Sequence, residues 1–279
     1  MTRKIAPLLA CALMAGGALR AESSEYPIAI NLPTTERMQY WDLGVVFTHR
    51  FIAPVQNHGK DVYGLDGFTY AGVGVDFGFK PIRGLNVLLY RTADNKAFSF
   101  GLQQLVLDKD RIRLSLKAER FDEVVQFEKK ALSLPDGTPV LLANGTQAPA
   151  WVGISGFTFQ VPMDIFITDD IVLALVPTYL SRTTSQEKGI FNLGAGLRIA
   201  FTDKFSFVGE FYPRPSKVPK ALEKGFSAGI SYKTFKHRFS LFGTNSTGTT
   251  THQVLGGDYG GGPKAPGKWS IGFNVARVF

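Results

Sequence analysis

The chain has 279 residues, with 31 Lys and Arg against 23 Asp and Glu for a formal charge of +8, and a single cysteine, Cys11. A surplus this mild, with no run of five or six basic residues, gives no nucleic-acid arm. One cysteine excludes an internal disulfide framework and a multi-Cys metal site, and the absence of an 18-residue apolar run excludes membrane-spanning helices.

The chain begins with a positive start at Arg3 and Lys4, an apolar, Ala- and Gly-rich stretch over residues 5–19, and the small residue Ala21. This pattern predicts a secretory signal peptide over residues 1–21. Its removal would take Cys11 and three basic residues, leaving 28 basic against 23 acidic. Residues 22–39 lack alternation and are expected to form a periplasmic tail or a lumen plug for the domain that begins at residue 40.

From residue 40 onward the sequence alternates. Residues 40–51 place Trp41, Leu43, Val45, Phe47 and Phe51 on one parity, with Asp42, Gly44, Thr48 and Arg50 on the other. Successive strand side chains point to opposite faces, so this is a strand between two different solvents. Residues 69–80 repeat it, with Ala71, Val73, Val75, Phe77 and Phe79 opposite Gly72, Gly74, Asp76 and Gly78. Further segments cover 85–91, 97–106, 112–121, 151–166, 171–183, 191–201, 205–212, 226–234, 238–245 and 268–279. Segment 171–183 is apolar on both parities, which leaves its facing open. Residues 127–134, inside the longest connection, are expected to form a short helix.

The predicted fold class is all-β: a single transmembrane antiparallel β-barrel of twelve strands over residues 40–279. An even count suits a closed bacterial barrel, in which short periplasmic turns alternate with longer outer loops. Five of the six odd-numbered connections are long and every even-numbered one is tight; Asp94-Asn95-Lys96 is the one short outer turn.

The last segment puts Trp269, Ile271, Phe273, Val275 and Phe279 on one face. A greasy face about 33 Å long, tilted, spans an apolar band of about 25 Å. A closing strand that stops on an aromatic resembles the C-terminal assembly signal of bacterial outer-membrane β-barrels, which implies recognition by the barrel-assembly machinery. The run Thr48-His49-Arg50-Phe51 and the block Tyr70-Ala71-Gly72-Val73-Gly74-Val75-Asp76-Phe77-Gly78 resemble a bacterial family known only as a membrane-bound β-barrel domain of unknown function. The resemblance spans residues 32–279 and implies fold and outer-membrane location, with no catalytic residues to carry over.

No enzyme or cofactor site stands out. Residues 262–268 nearly spell a phosphate-binding loop, but Trp269 stands where Ser or Thr is needed and a strand comes next instead of a helix. His49, His58, His237 and His252 are too scattered for a metal site: His49 faces lipid, His237 lies in a periplasmic turn, and the other two lie in outer loops. Ser240 differs in parity from His237, which speaks against a lipid-modifying hydrolase.

The informative charges lie on the inward parity: Arg50, Arg113, Lys117, Arg198, Lys233 and Arg238 against Asp42, Asp76, Glu119 and Glu210. Arg or Lys facing mid-depth lipid costs about 2–4 kcal/mol, so these side chains belong inside. A basic surplus of two points to a narrow passive channel for small solutes with slight anion preference. The alternative is a non-conducting barrel whose outer loops 122–150 and 246–267 dock a partner. The expected surroundings are outer-membrane lipid and a small anionic solute, with no nucleic acid.

Overall fold

The computed structural model describes residues 29–36, 38–39, 41–56, 62–63, 65–66, 69–79, 82–131, 133, 138–141, 149–182, 189–213, 224–246, 248–256 and 268–279. The signal-peptide expectation, His58 and residues 262–267 lie outside them.

Alternation becomes thirteen antiparallel strand segments: β1 (Leu43–Phe51), β2 (Thr69–Gly78), β3 (Leu85–Thr92), β4 (Phe98–Lys109), β5 (Ile112–Ala131), β6 (Pro149–Gln160), β7 (Met163–Phe166), β8 (Ile171–Leu180), β9 (Ile190–Ala200), β10 (Phe205–Tyr212), β11 (Gly225–Lys233), β12 (His237–Thr244) and β13 (Ser270–Val278). Apart from β6 and β7, which do not pair with each other, sequence neighbours pair, and β1 pairs with β13 through Thr48 opposite Asn274 and Val46 opposite Ala276. The sheet therefore closes on itself.

β6 and β7 are two halves of one stave. Both pair with β5 on one side and β8 on the other, and the register is unchanged across the break. The interruption falls at Pro162, which has no N–H to give to the ladder. Carbonyl acceptors carry the wall across it: Ser115 N–H donates to Pro162 O at 2.9 Å and Val161 N–H to Pro177 O at 3.0 Å. With these halves counted once, the barrel has twelve strands.

Burial follows parity. Phe47, Phe100, Phe157, Phe191 and Leu241 face outward, while Thr48, Ser99, Thr158, Asn192 and Ser240 are buried inside. A barrel with a greasy exterior and a polar interior is built for lipid outside.

The hairpin of β5 and β6 departs from the expected short helix over 127–134. Residues 127–131 are strand, with Phe127 opposite Ala150 and Ala131 opposite Pro149. The pairing to β6 satisfies the backbone there, and Val124, Val125 and Phe127 favour a pleated backbone over a helix.

Two segments fold inside the wall. Residues 29–39 enter at the short-turn end, where Trp41 N–H donates to Gly78 O at 3.0 Å and Asp42 N–H to Gln39 O at 2.9 Å. The connection after β12 turns inward as residues 248–256, ending in the short helix α1 (Thr251–Gly256). They meet in an apolar cluster of Leu32, Val254 and Leu255 with Val176, Leu180, Ile190 and Tyr212 from the wall. The buried parity of β8 is Val172, Ala174, Val176 and Leu180, and Val176 and Leu180 pack into this cluster.

Candidate functional site

The interior is organised around Glu210 on β10. Its Oε1 accepts the backbone N–H groups of Ile30, Asn31 and Leu32 at 2.5, 2.9 and 3.1 Å, and its Oε2 accepts the Asn31 side-chain amide at 3.3 Å and the Tyr212 hydroxyl. Three successive amides converging on one carboxylate form a nest, here closed by the side chain of the opposite wall.

Arg50 on β1 completes the clasp. It is 1 % exposed, and its Nη2 donates to Asn31 Oδ1 at 2.7 Å while Nη1 donates to Asn274 Oδ1 and to His49 O, each at 2.9 Å. Its guanidinium lies 4.5 Å from the centre of the Phe242 ring. Asn274 in turn donates to Ile30 O at 2.9 Å. Nearer the short-turn end, Asp164 accepts from Thr35 N–H at 2.8 Å and from its hydroxyl at 2.5 Å, and Gln103 donates to Thr34 O at 2.7 Å.

The glycines of the wall make room for this segment. A Cβ on Gly194 would stand 2.4 Å from Leu32 Cδ2, and one on Gly78 would stand 2.0 Å from Gln39 O.

Beside the segment runs a cleft of about 150 Å³, lined by Asp76, Tyr90, Lys117, Glu119 and Arg238 and capped by Thr249 to Thr251. Glu36 lines it as well, and several of its charged side chains have close partners. Lys117 pairs with Glu119 at 2.8 Å, and Asp76 accepts from Asn86 at 3.0 Å. A smaller cavity of about 30 Å³ lies among Asp164, Arg198, Glu36 and Glu210.

The inward residues expected from sequence therefore separate into three groups. Asp76, Lys117, Glu119 and Arg238 come together around the cleft, whereas Arg50 and Glu210 hold the N-terminal segment. Asp42, Arg113, Arg198 and Lys233 sit at the short-turn rim: Arg113 pairs with Asp108 at 3.0 Å and lies over Phe166, and Arg198 reaches Asp169 O at 3.4 Å. Asp42 accepts at its carbonyl from Gly78 N–H, and Lys233 N–H donates to Lys204 O.

On β13, Ile271, Phe273 and Val275 face outward between buried Ser270, Gly272, Asn274 and Ala276. Trp269 packs edge-on against Phe226, and the Arg277 guanidinium lies 4.7 Å over Phe279.

Three residues that sequence parity missed complete the interior. Asp164 comes just after the proline break in its stave, Glu123 lies past the expected end of β5, and His252 belongs to an outer connection that folds inward to 2 % exposure. The His252 ring stacks on Phe121 at 3.9 Å, and its Nε2 lies 3.6 Å from Glu123 Oε2 and 3.4 Å from Thr250 Oγ1. A hydrolytic triad needs the hydroxyl and the carboxylate on opposite ring nitrogens. Here both meet Nε2, while Nδ1 has no partner. Among the described residues, no three His, Cys, Asp or Glu side chains converge to hold a metal ion.

Asp94, in the turn outside the strands, is buried beside Glu123. Burial first and that neighbouring carboxylate second push its carboxyl up to about 8. Its Oδ2 finds no partner.

Residues 155–279 match the family model described as Membrane bound beta barrel domain (DUF5777). The resemblance drawn from sequence is thus found in the C-terminal part of the chain, and the blocks at 48–51 and 70–78 that suggested it lie outside the matched span. No curated protein matches the sequence. Among solved structures the barrel is similar to the KdgM porin, with a TM-score of 0.52 at 8% identity over 85% of this chain and 99% of that one. It is also similar to the NanC porin, with a TM-score of 0.48 at 9% identity over 84% and 98%. At such identity the likeness is one of fold, a closed antiparallel β-barrel.

Proposed function

We propose that this protein is a narrow passive channel for small polar solutes in the bacterial outer membrane. The observation that carries the reading is a cleft of about 150 Å³, with Asp76, Lys117, Glu119 and Arg238 in its lining, beside the N-terminal segment and inside a wall whose outer face is apolar. A polar conduit through a lipid-facing barrel lowers the barrier to hydrated solutes, and its width sets the size limit.

The slight anion preference expected from sequence rested on a basic surplus of two. Glu123 and Asp164 add two carboxylates to the interior while Arg113, Arg198 and Lys233 sit at its rim, so no basic surplus lines the lumen and no anion preference is expected. Planar-bilayer recording of pure refolded protein tests the reading. Discrete conductance steps, with a reversal potential near zero in a salt gradient, support it; a silent membrane at every pH and voltage removes it.

A non-conducting barrel is the second reading. It is favoured by the occupancy of the lumen by residues 29–39 and 248–256, and the same recording separates the two. The meeting of Thr250, His252 and Glu123 at a single ring nitrogen supports a non-enzymatic role.

A further inference from the structure

The cleft is capped at the long-loop end by Thr249, Thr250 and Thr251, which belong to the one long connection described inside the wall. Two residues join that cap to the rim. Thr249 Oγ1 donates to Thr92 Oγ1 at 2.7 Å, and the His252 ring lies flat on Phe121 with Nε2 3.6 Å from Glu123 Oε2. On the other side of Glu123 stands the tight turn Asp94–Lys96, whose Asn95 side chain donates to Glu123 Oε2 at 3.5 Å and whose Asp94 carboxyl is buried with one oxygen unpartnered. Two buried carboxyl groups and an imidazole thus hold the cap to the rim, almost without solvent.

We infer that residues 248–256 form a pH-sensitive gate, latched to the turn Asp94–Lys96 through Glu123 and His252, which closes the cleft in acid and releases it as pH rises. The inference rests on the channel reading and names its regulation.

The buried carboxyl pair sets the direction. With a proton on Asp94, the pair Asp94–Glu123 carries one negative charge; once that proton leaves, two carboxylates face each other in a medium that cannot screen them. His252, with Nε2 3.6 Å from Glu123 Oε2, ties the cap to the same carboxylate. Asp94 ordinarily titrates near 3.8 and is raised to about 8 in the latched form. Exposure of Asp94 on release lowers its pKa, so loss of its proton favours the released form and the latch weakens as pH rises toward about 8.

The other titratable groups facing the cluster leave this sign unchanged. Tyr70 on β2 lies within electrostatic reach of Asp94, and Tyr90 on β3 meets the cap at Thr249, but tyrosines ordinarily stay neutral below about pH 9. Glu119 on β5, which feels the His252 charge, is engaged by Lys117.

The test is conductance of the full refolded chain in planar bilayers at fixed salt, from about pH 4 to about pH 9. The open fraction of the unmodified protein should rise severalfold toward alkaline pH, while Asp94→Asn should stay closed where the unmodified protein opens. Thr92→Cys with Thr249→Cys, in a Cys11→Ser background, tethers the cap: oxidised protein should remain closed at every pH and dithiothreitol should restore opening. A third variant replaces residues 248–256 with a short Gly-Ser linker and should conduct independently of pH. If the unmodified protein conducts with no pH dependence, or if oxidised tethered protein conducts like reduced protein, the gate is overturned and the channel stands. If the linker variant is silent as well, both readings fall.

Discussion

Glu210 and Asn31, 179 positions apart in the chain, meet through both oxygens of the carboxylate: the Asn31 backbone N–H reaches Oε1 at 2.9 Å and Oε2 at 3.1 Å. With the Ile30 and Leu32 amides, this ties the segment in the lumen to the wall. Glu210→Gln removes the negative charge that three amides and Asn31 share. Charge-assisted hydrogen bonds contribute about 1.5–3 kcal/mol each, so the variant should unfold at lower urea and show a larger unit conductance as the segment loosens. Unchanged conductance together with unchanged stability would show that the carboxylate holds nothing.

Gly194 is a fitting requirement for Leu32. A methyl group at this position would stand 2.4 Å from Leu32 Cδ2, far inside contact distance. Gly194→Ala should therefore destabilise by about 1–3 kcal/mol, the usual range for overpacking. Leu32→Ala opens a cavity on its own but removes the clash, so the double variant should be more stable than the sum of the single effects. Simple additivity in denaturant titrations would contradict the contact.

Asp94 gives a stability prediction separate from conductance. The unfolded chain gives up this proton near 3.8 and the folded protein near 8, so the native state is unburdened below about pH 4 and progressively penalised up to about pH 8. Asparagine cannot ionise. The stability of Asp94→Asn relative to the unmodified protein should grow across that window, by at most about 1.4 kcal/mol per pH unit, and level off above it. A constant difference in thermal unfolding between the two ends of the range would refute the assignment.

Deletion of Phe279 tests the terminal strand. Its ring lies under Arg277, and its N–H donates to Leu43 O at 2.9 Å across the seam with β1. The shortened chain should be exported yet fail to give a heat-modifiable band in outer-membrane fractions, with unfolded protein accumulating in the periplasm. Normal membrane assembly would remove the signal role proposed for Trp269, Ile271, Phe273, Val275 and Phe279.

The wall was legible because each stave must satisfy two solvents at once, which writes a period of two into the chain. Even Pro162 did not hide its stave, since side chains keep their parity across the break. The contents of the lumen were not legible for the same reason in reverse. Residues 29–39 give their backbone groups to Glu210, Asp164, Gln103 and Asn86, so no ladder imposes a period on them. The inward apolar face of β8 was the one visible trace: a barrel interior that reads as greasy on Val176 and Leu180 must be covered by something apolar. Glu123 and His252 were missed because β5 runs past Phe121, and because an outer loop gives no hint in sequence that it turns inward.

The N-terminal segment also bears on how the barrel holds shut. The first and last strands are the one neighbouring pair with no turn to tether them, since nearly the whole chain separates them. Arg50 and Asn274 stand on either side of that junction, and both reach residues 30 and 31. The segment is therefore an internal stitch across the place where the cylinder was last open. Zipping of the final strand and seating of the segment become one cooperative event, and a barrel that closed empty would lack the fastener its own sequence provides.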